Sequence, residues 1–564
     1  MIEGLLFTFD SGFEMWTFRI AAVALAAFLL GGLFIITRPQ PEVVGHPKGL
    51  FVLFLAEMWE RFSYYGMRAL LIFYLVQHWL FTDSQASIVY GAYTALVYIT
   101  PVVGGYLADR YIGQRKAVLF GAILLTLGHF AMAFEGTGGQ DDPTINVFWL
   151  ALALIIVGSG FLKANISVIV GQLYSRTDVR RDPAYTIFYM GINVGAATAS
   201  IICGYLGQTY GWQYGFGLAG VGMLIGLVFF VLGKPLLLGK GEPKDPAKIA
   251  GGKEWAIYGA GLAMVALCWA AVQYQELVGY VLGVFGGGLV LYVLYTAVAK
   301  LPTEERDRIF AAMFLILTSI VFWALFEQAG SSLNLFTDRH VDTAGVNASM
   351  FQSINAIYIV LLAPFFAMLW QGLANRNAEP STPMKFGLAV VQVGLGFLVL
   401  VWGSEAAGIN VPTPVIFIFL IYLLHTTGEL CLSPVGLSAM NRLSPAQMAS
   451  LIMGTWFFAS AAGNFAAGLI AAATGAEGVS QAAGKQVVLD VYTTVGWYAV
   501  AIGVGVMVVS PLIKRLMHLN SLRDDDVGDD LEGQAQAGIE AQEGGLHPSA
   551  RGQEPGVHPQ NRPT

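Results

Sequence analysis

Between Gly49 and Leu75 the chain reads GLFVLFLAEMWERFSYYGMRALLIFYL, apolar enough for a bilayer yet carrying Glu57, Glu60, Arg61 and Arg68. A charge at mid-bilayer depth costs about 2.5–3.5 kcal/mol on insertion scales, so four in one segment imply a face turned toward a cavity and away from lipid. The spacing agrees. Glu57, Glu60, Arg61, Tyr64 and Arg68 recur at i, i+3 and i+4 and share one side of a helix. Three more ionisable residues lie deep in apolar segments: Lys163 in VGSGFLKANISVIV, Glu327 in FWALFEQAGSSL and Glu429 in LLHTTGELCLSP. Glu57, Glu60, Glu327 and Glu429 thus meet only Arg61, Arg68 and Lys163, one acid in surplus. A surplus carboxylate kept from water is stable only with a proton on it, and groups this close titrate together. The chemistry on offer is the exchange of protons and charged partners, not bond making. No nucleophile–base pair, metal-ligand spacing or phosphate-cradling glycine loop stands out, so no enzyme, metal site or cofactor is expected.

The elements that must position these groups are membrane spans. Of 564 residues, 56% are hydrophobic and 12% charged, against a soluble norm near 25%. Mean hydropathy is +0.63. The composition predicts a polytopic protein in a lipid bilayer and gives no footprint for nucleic acid. Apolar segments of spanning length fall roughly at 16–36, 50–80, 84–108, 115–134, 147–174, 184–206, 213–233, 255–274, 277–299, 309–336, 349–374, 385–403, 413–439, 448–474 and 488–513, fifteen in all. Cys203, Cys268 and Cys431 lie inside such segments and are expected as small buried hydrophobes.

Loop charge sets the orientation. With the turns beginning near Arg38, Asp109, Tyr174, Lys234, Lys300, Asn375, Asn441 and Lys514 placed in the cytoplasm, 24 of the 30 Lys and Arg fall there. Arg19, Arg339 and Lys485 fall outside, and three lie within spans, as the positive-inside rule requires. The C-terminus is then cytoplasmic. The first segment follows an acidic start and precedes Arg38 and Lys48, which predicts an added span over 16–36. A signal peptide starting at Met15 is the rival, without a convincing cleavage site.

The other fourteen spans divide as six, two and six. The expected organisation is an added helix and linker over 1–48, a first six-helix bundle over 49–236, and a linker with a two-helix insertion over 237–302. A second bundle over 303–518 and a disordered acidic tail over 519–564 complete it. The deep charges occupy matching helices of the two halves, the internal symmetry of a secondary transporter. At ~1.5 Å rise per residue, Arg68 and Glu327 each lie about 27 Å from the cytoplasmic starts of their helices. Lys163 and Glu429 each lie about 24 Å in from the outer face. Opposite charges at equal depth in related helices predict two cross-bundle pairs, Arg68–Glu327 and Lys163–Glu429. His129 and His425 are expected as polar fillers at helix ends or interfaces.

These segments also carry a resemblance. EMWERFSYYGMRALL resembles the ExxERFxYYG signature of the proton-dependent oligopeptide transporters, within the major facilitator superfamily. GGYLADRYIGQRKAV is similar to the superfamily's loop motif, with Asp109, Arg110 and Arg115, and FYMGINVGA to the family's FYxxINxG motif. FWALFEQ and GELCLSPVGLS resemble its motifs in helices seven and ten, and the likeness runs in order over about 47–516. The resemblance implies an all-α membrane protein of the bacterial inner membrane: a major facilitator fold of two six-helix bundles with two inserted helices. It implies import of di- and tripeptides with protons as the coupling ion. By motif, Arg61 and Lys163 would receive the peptide carboxylate, oriented by Tyr64 and Asn193, and Glu429 with Asn355 the ammonium. Tyr65, Tyr98 and Trp456 would line side-chain pockets. Glu57, Glu60 and Glu327, with Arg61, would be proton-linked, and Arg68–Glu327 and Lys163–Glu429 would be gates. The histidine that animal members carry in helix two has no counterpart here, so proton handling falls to carboxylates. The added span at 16–36 lies outside the pattern. Alternative readings are a carrier of nitrate or another small anion, a membrane-embedded enzyme and a peptide sensor; oligomeric state is open.

Overall fold

The computed structural model describes residues 12–38, 40–175, 178, 180–243, 245, 249, 252–445 and 448–519. The tail expected to be disordered lies, from residue 520 on, outside the described residues. Among the described residues, fourteen helical segments are long and apolar enough to cross a membrane. A further one of 26 residues, α2 (Lys48–Phe73), carries the charged face read above and makes fifteen.

The first half contains α2, α3 (Asp83–Leu107), α4 (Gln114–Met132), α5 (Ile145–Gln172), α6 (Arg181–Tyr210) and α7 (Trp212–Leu232). Within it α2 packs on α6 and α7, and α4 on α5 and α7. The second half contains α10 (Thr303–Phe326), α11 (Ser332–His340), α12 (Ser353–Ala374), α13 (Thr382–Ala407), α14 (Ile416–Leu443), α15 (Ala449–Ala472) and α16 (Gln481–Leu516). There α13 packs on α14 and α16, and α10 on α15. Two inserted helices, α8 (Lys253–Gln273) and α9 (Gln275–Lys300), lie against α5 and α15 respectively. The arrangement is the major facilitator fold.

Local chemistry sets several ends. Thr82 and Gln85 form a reciprocal capping box at the start of α3, and the Ser480 hydroxyl caps α16. Gly113, at φ +77°, turns the chain into α4. A Cβ there would lie 2.6 Å from the Pro243 nitrogen, so the linker backbone lies directly on this turn. Arg115 grips the same linker, its Nε 2.5 Å from Glu242 Oε1.

The span expected as continuous over 309–336 is not one helix. It ends at Phe326, passes through a 3-10 turn at Glu327–Gly330 and restarts at Ser332 after Ser331 leaves helical geometry at φ −126°, ψ −99°. The sequence offers no proline here; small residues permit the break, and the turn's tertiary contacts hold it.

The added span is a helix, α1 (Gly12–Thr37), packed on α2 and α6. Phe18 meets Tyr205 at 5.2 Å and Phe28 meets Phe54 at 6.0 Å between ring centroids. At its end the Lys48 ammonium donates to the Ile36 and Arg38 carbonyls, satisfying acceptors that a helix C-terminus leaves open. At its start the Asn347 amide donates to Glu14 Oε1 at 3.3 Å, a contact with the second half.

The halves meet along α3–α15 and α6–α12. Where α3 crosses α15, Gly91 and Gly468 face each other; a Cβ on Gly91 would stand 2.7 Å from the Gly468 Cα. At the end remote from the α16 C-terminus, called distal here, polar contacts bridge the halves. The Arg339 guanidinium forks onto both carboxylate oxygens of Asp83, at 2.5 and 2.8 Å. Ser349 Oγ donates to Gln208 at 2.5 Å, Asn347 Nδ2 to Thr209 Oγ1 at 2.9 Å, and Asn334 Nδ2 to the Ala69 carbonyl at 3.3 Å. The distal end is therefore closed.

Candidate functional site

The helical face on α2 carries its charges inward. Glu57, Glu60 and Arg61 are completely buried. Arg61 Nε lies 2.5 Å from Glu57 Oε1 and 3.1 Å from Glu60 Oε2, so one guanidinium is shared by two carboxylates. The trio carries a net −1 when both acids are ionised, which a low-dielectric interior opposes unless a cation or a proton balances it. Lys163, on α5, is within electrostatic range of Glu57. Its ammonium stands 3.8 Å from the Tyr64 ring centroid and 5.4 Å from that of Tyr98, a cation held against aromatic faces.

In the second half, Asn355 Nδ2 donates to Glu429 Oε2 and to Thr426 Oγ1, both at 3.0 Å. Arg68 reaches across the halves to Glu327, and both side chains are nearly inaccessible. The 3-10 turn that begins at Glu327 packs on α2, where its first residue meets Arg68. The contacts described for Lys163 and Glu429 are with the rings and amide of their own halves.

A cavity lies between the halves. Tyr65 and Arg68 line it from α2, Asn193 and Ser200 from α6, Gln352 and Asn355 from the start of α12, and Tyr422 and His425 from α14. Ile192, Phe326 and Ile359 give it an apolar wall. Such a chamber, apolar with a few convergent polar groups, suits a small polar solute. Asn193 Nδ2 also donates to the Tyr189 carbonyl at 3.2 Å, which fixes its amide.

Of the residues singled out in the sequence, Tyr65, Arg68, Asn193 and Asn355 line the cavity, and Glu429 borders it through Asn355. Arg61, Tyr64 and Lys163 lie among the buried groups behind Tyr65. Trp456 packs at 6.4 Å on Phe386 and against Gly436, away from the lining. In the loop motif Asp109 accepts from Gln114 at 2.6 Å, Arg110 donates to the Tyr106 hydroxyl at 3.2 Å and Arg115 holds Glu242. Ser200, Gln352 and Tyr422 were not singled out; each is an uncharged polar residue in an apolar segment, with no local signal of the opposing half. His425, expected as an interface filler, does bond the Val393 carbonyl at 3.2 Å, and it also faces the cavity. Its place one turn before Glu429 was the available signal.

Comparison with known proteins follows the same lines. The family model described as the POT family matches residues 115–487. The peptide transporter YePEPT of Yersinia enterocolitica is 37% identical over 457 residues, covering 76% of this chain and 88% of its own. The di-/tripeptide transporter of Lactococcus lactis subsp. cremoris is 34% identical, covering 75% of this chain and 89% of its own. Among solved structures, that of a peptide transporter POT in complex with sulfate superposes with a TM-score of 0.74 at 35% identity, covering 86% of this chain and 99% of that one. A POT family transporter in complex with 5-aminolevulinic acid gives 0.73 at 30% identity, covering 85% and 99%. A buried ExxER face, a charge pair joining two helical halves across a polar chamber, and kinship over most of its length together make this chain a member of the POT family of transporters.

Proposed function

We propose that the protein is a proton-coupled symporter that imports di- and tripeptides across the bacterial inner membrane, with its C-terminus in the cytoplasm. One observation carries the reading: Arg68 lines a shared chamber from the first half, with Arg61 and Lys163 buried behind its wall, and Asn355, bonded to Glu429, lines it from the second. Dipeptides and tripeptides differ in side chains and share a carboxylate and an ammonium. Arg61 and Lys163 receive the carboxylate, steadied by Tyr64 and Asn193. Glu429 and Asn355 receive the ammonium, and Tyr65 and Tyr98 border the side chains.

Coupling follows from shared partners. Glu57 and Glu60 both hold Arg61, so a proton on either acid weakens its grip and frees the guanidinium for a peptide carboxylate. A proton on Glu327 likewise releases Arg68 and loosens the distal closure, which in this orientation faces outward. Lys163–Glu429 is the second gate, made and broken as the halves rock, and a bound peptide competes for both members. A solved POT relative is in complex with sulfate, an anion as the peptide carboxylate is.

Purified protein in liposomes should accumulate a dipeptide when the outside is acidified. Uptake absent, or indifferent to the pH step, would overturn the proposal.

A further inference from the structure

The Arg68–Glu327 pair has a third member. Tyr90, on α3, sets its phenol oxygen 2.6 Å from Arg68 Nε, which donates to it, while Arg68 Nη2 donates to Glu327. One planar guanidinium thus has two acceptors on two elements, a phenol from its own half and a carboxylate from the other. Because the guanidinium donors form a rigid fork, fixing Nε fixes the direction of Nη2.

The residue opposite makes this contact possible. Gly330 closes the 3-10 turn that begins at Glu327, and a Cβ on it would overlap the Tyr90 oxygen and come within 3.3 Å of Arg68 Nη2. Its φ is not in the left-handed region, so backbone conformation does not call for glycine here. Space does. The bare Cα leaves a slot for the phenol beside the charge pair.

We propose that Tyr90 is a positioning residue of the transport cycle, aiming the Arg68 guanidinium at Glu327 through Nε, and that Gly330 serves to admit it. The inference rests on the reading of Arg68–Glu327 as a proton-linked gate. Other groups bear on the same point: Glu60, Tyr64 and Tyr65 on α2, Tyr93 on α3, Tyr422 on α14 and Tyr492 on α16. Glu60 is the carboxylate among them, and Gly330 does not touch it, which separates the two acids experimentally.

Two variants reach the same bond from opposite sides. Tyr90→Phe removes the oxygen and keeps the ring; Gly330→Ala keeps the oxygen and displaces it. In either, Arg68 is aimed less well, Glu327 loses part of its partner, and a proton takes that place more readily. The pH of half-maximal proton-driven uptake should move to the alkaline side by roughly half to one pH unit, the effect of one hydrogen bond. Peptide exchange between compartments at equal pH should persist, and Tyr74→Phe, a buried phenol remote from the pair, should leave the midpoint in place.

The wild-type profile reports on the underlying reading separately: a wild type whose uptake ignores pH defeats the proton-coupling reading itself. With a pH-dependent wild type, an unchanged midpoint in an exchange-competent Tyr90→Phe overturns the positioning role. If Gly330→Ala yields no folded protein, Tyr90→Phe alone decides.

Discussion

Gly91→Ala tests whether the two halves must come as close as the structure has them. The added Cβ would stand 2.7 Å from the Gly468 Cα and 3.1 Å from the Gly468 nitrogen. Carbon–carbon contact normally begins near 3.5 Å, so the overlap is about 0.8 Å, and the opposing atoms are backbone with no rotamer to yield. Overpacking of this kind costs about 1–3 kcal/mol. The two helices belong to different halves, so parting at the distal end relieves the clash, and the closed state alone bears it. The open fraction should rise by about 5- to 150-fold. A reporter is available at Ser349, buried and bonded to Gln208 across the closure. With Cys203, Cys268 and Cys431 replaced by serine, a cysteine at 349 should react with an impermeant maleimide faster by that factor in the Gly91→Ala background. Gly104→Ala is the control. Its Cβ would overlap the Gly160 carbonyl, but α3 and α5 lie in the same half, so stability should fall with no gain in labelling. Equal labelling rates with and without Gly91→Ala, in a transport-competent protein, would refute the claim that this crossing governs opening.

Other outcomes follow from the same geometry. Lys163→Ala should reduce proton-driven uptake to background, and Glu429→Ala should impair peptides with a free amino end more than N-acetylated ones; normal uptake by both would discredit the paired site. The Arg115 guanidinium holds the Glu242 carboxyl below its usual range, so that pair adds stability at neutral pH that is lost as pH falls through the folded-state value. Glu242→Gln should therefore lower the melting temperature slightly at pH 7, a loss of no more than about 1 kcal/mol for a partly exposed pair, and should match wild type once the pH has fallen through the folded-state value. Reversing both charges of Asp83–Arg339 should restore the distal closure that either single reversal loosens, read by the same maleimide assay.

Much of this was legible in the chain because bilayers punish misplaced charge. A face bearing Glu57, Glu60, Arg61 and Arg68 admits one environment, and rise per residue sets Arg68 level with Glu327. An apolar run of spanning length likewise marked α1, although the helix begins at Gly12, ahead of the expected residue 16. What was not legible depends on partners distant in sequence. The break at Glu327–Ser331 is held by tertiary contact, and FWALFEQAGSSL contains nothing that forbids a continued helix. Ser200, Gln352 and Tyr422 join the chamber through the register of one half against the other.

The helix ahead of α2 has a topological consequence. Among the described residues it brings the spanning helices to an odd number, and its start meets Asn347 at the distal end, so the start of α1 and the end of α16 lie at opposite ends of the molecule. Fluorescent proteins fused one to each terminus would sample different compartments of the same cell. A quencher added to the medium would then dim one and spare the other.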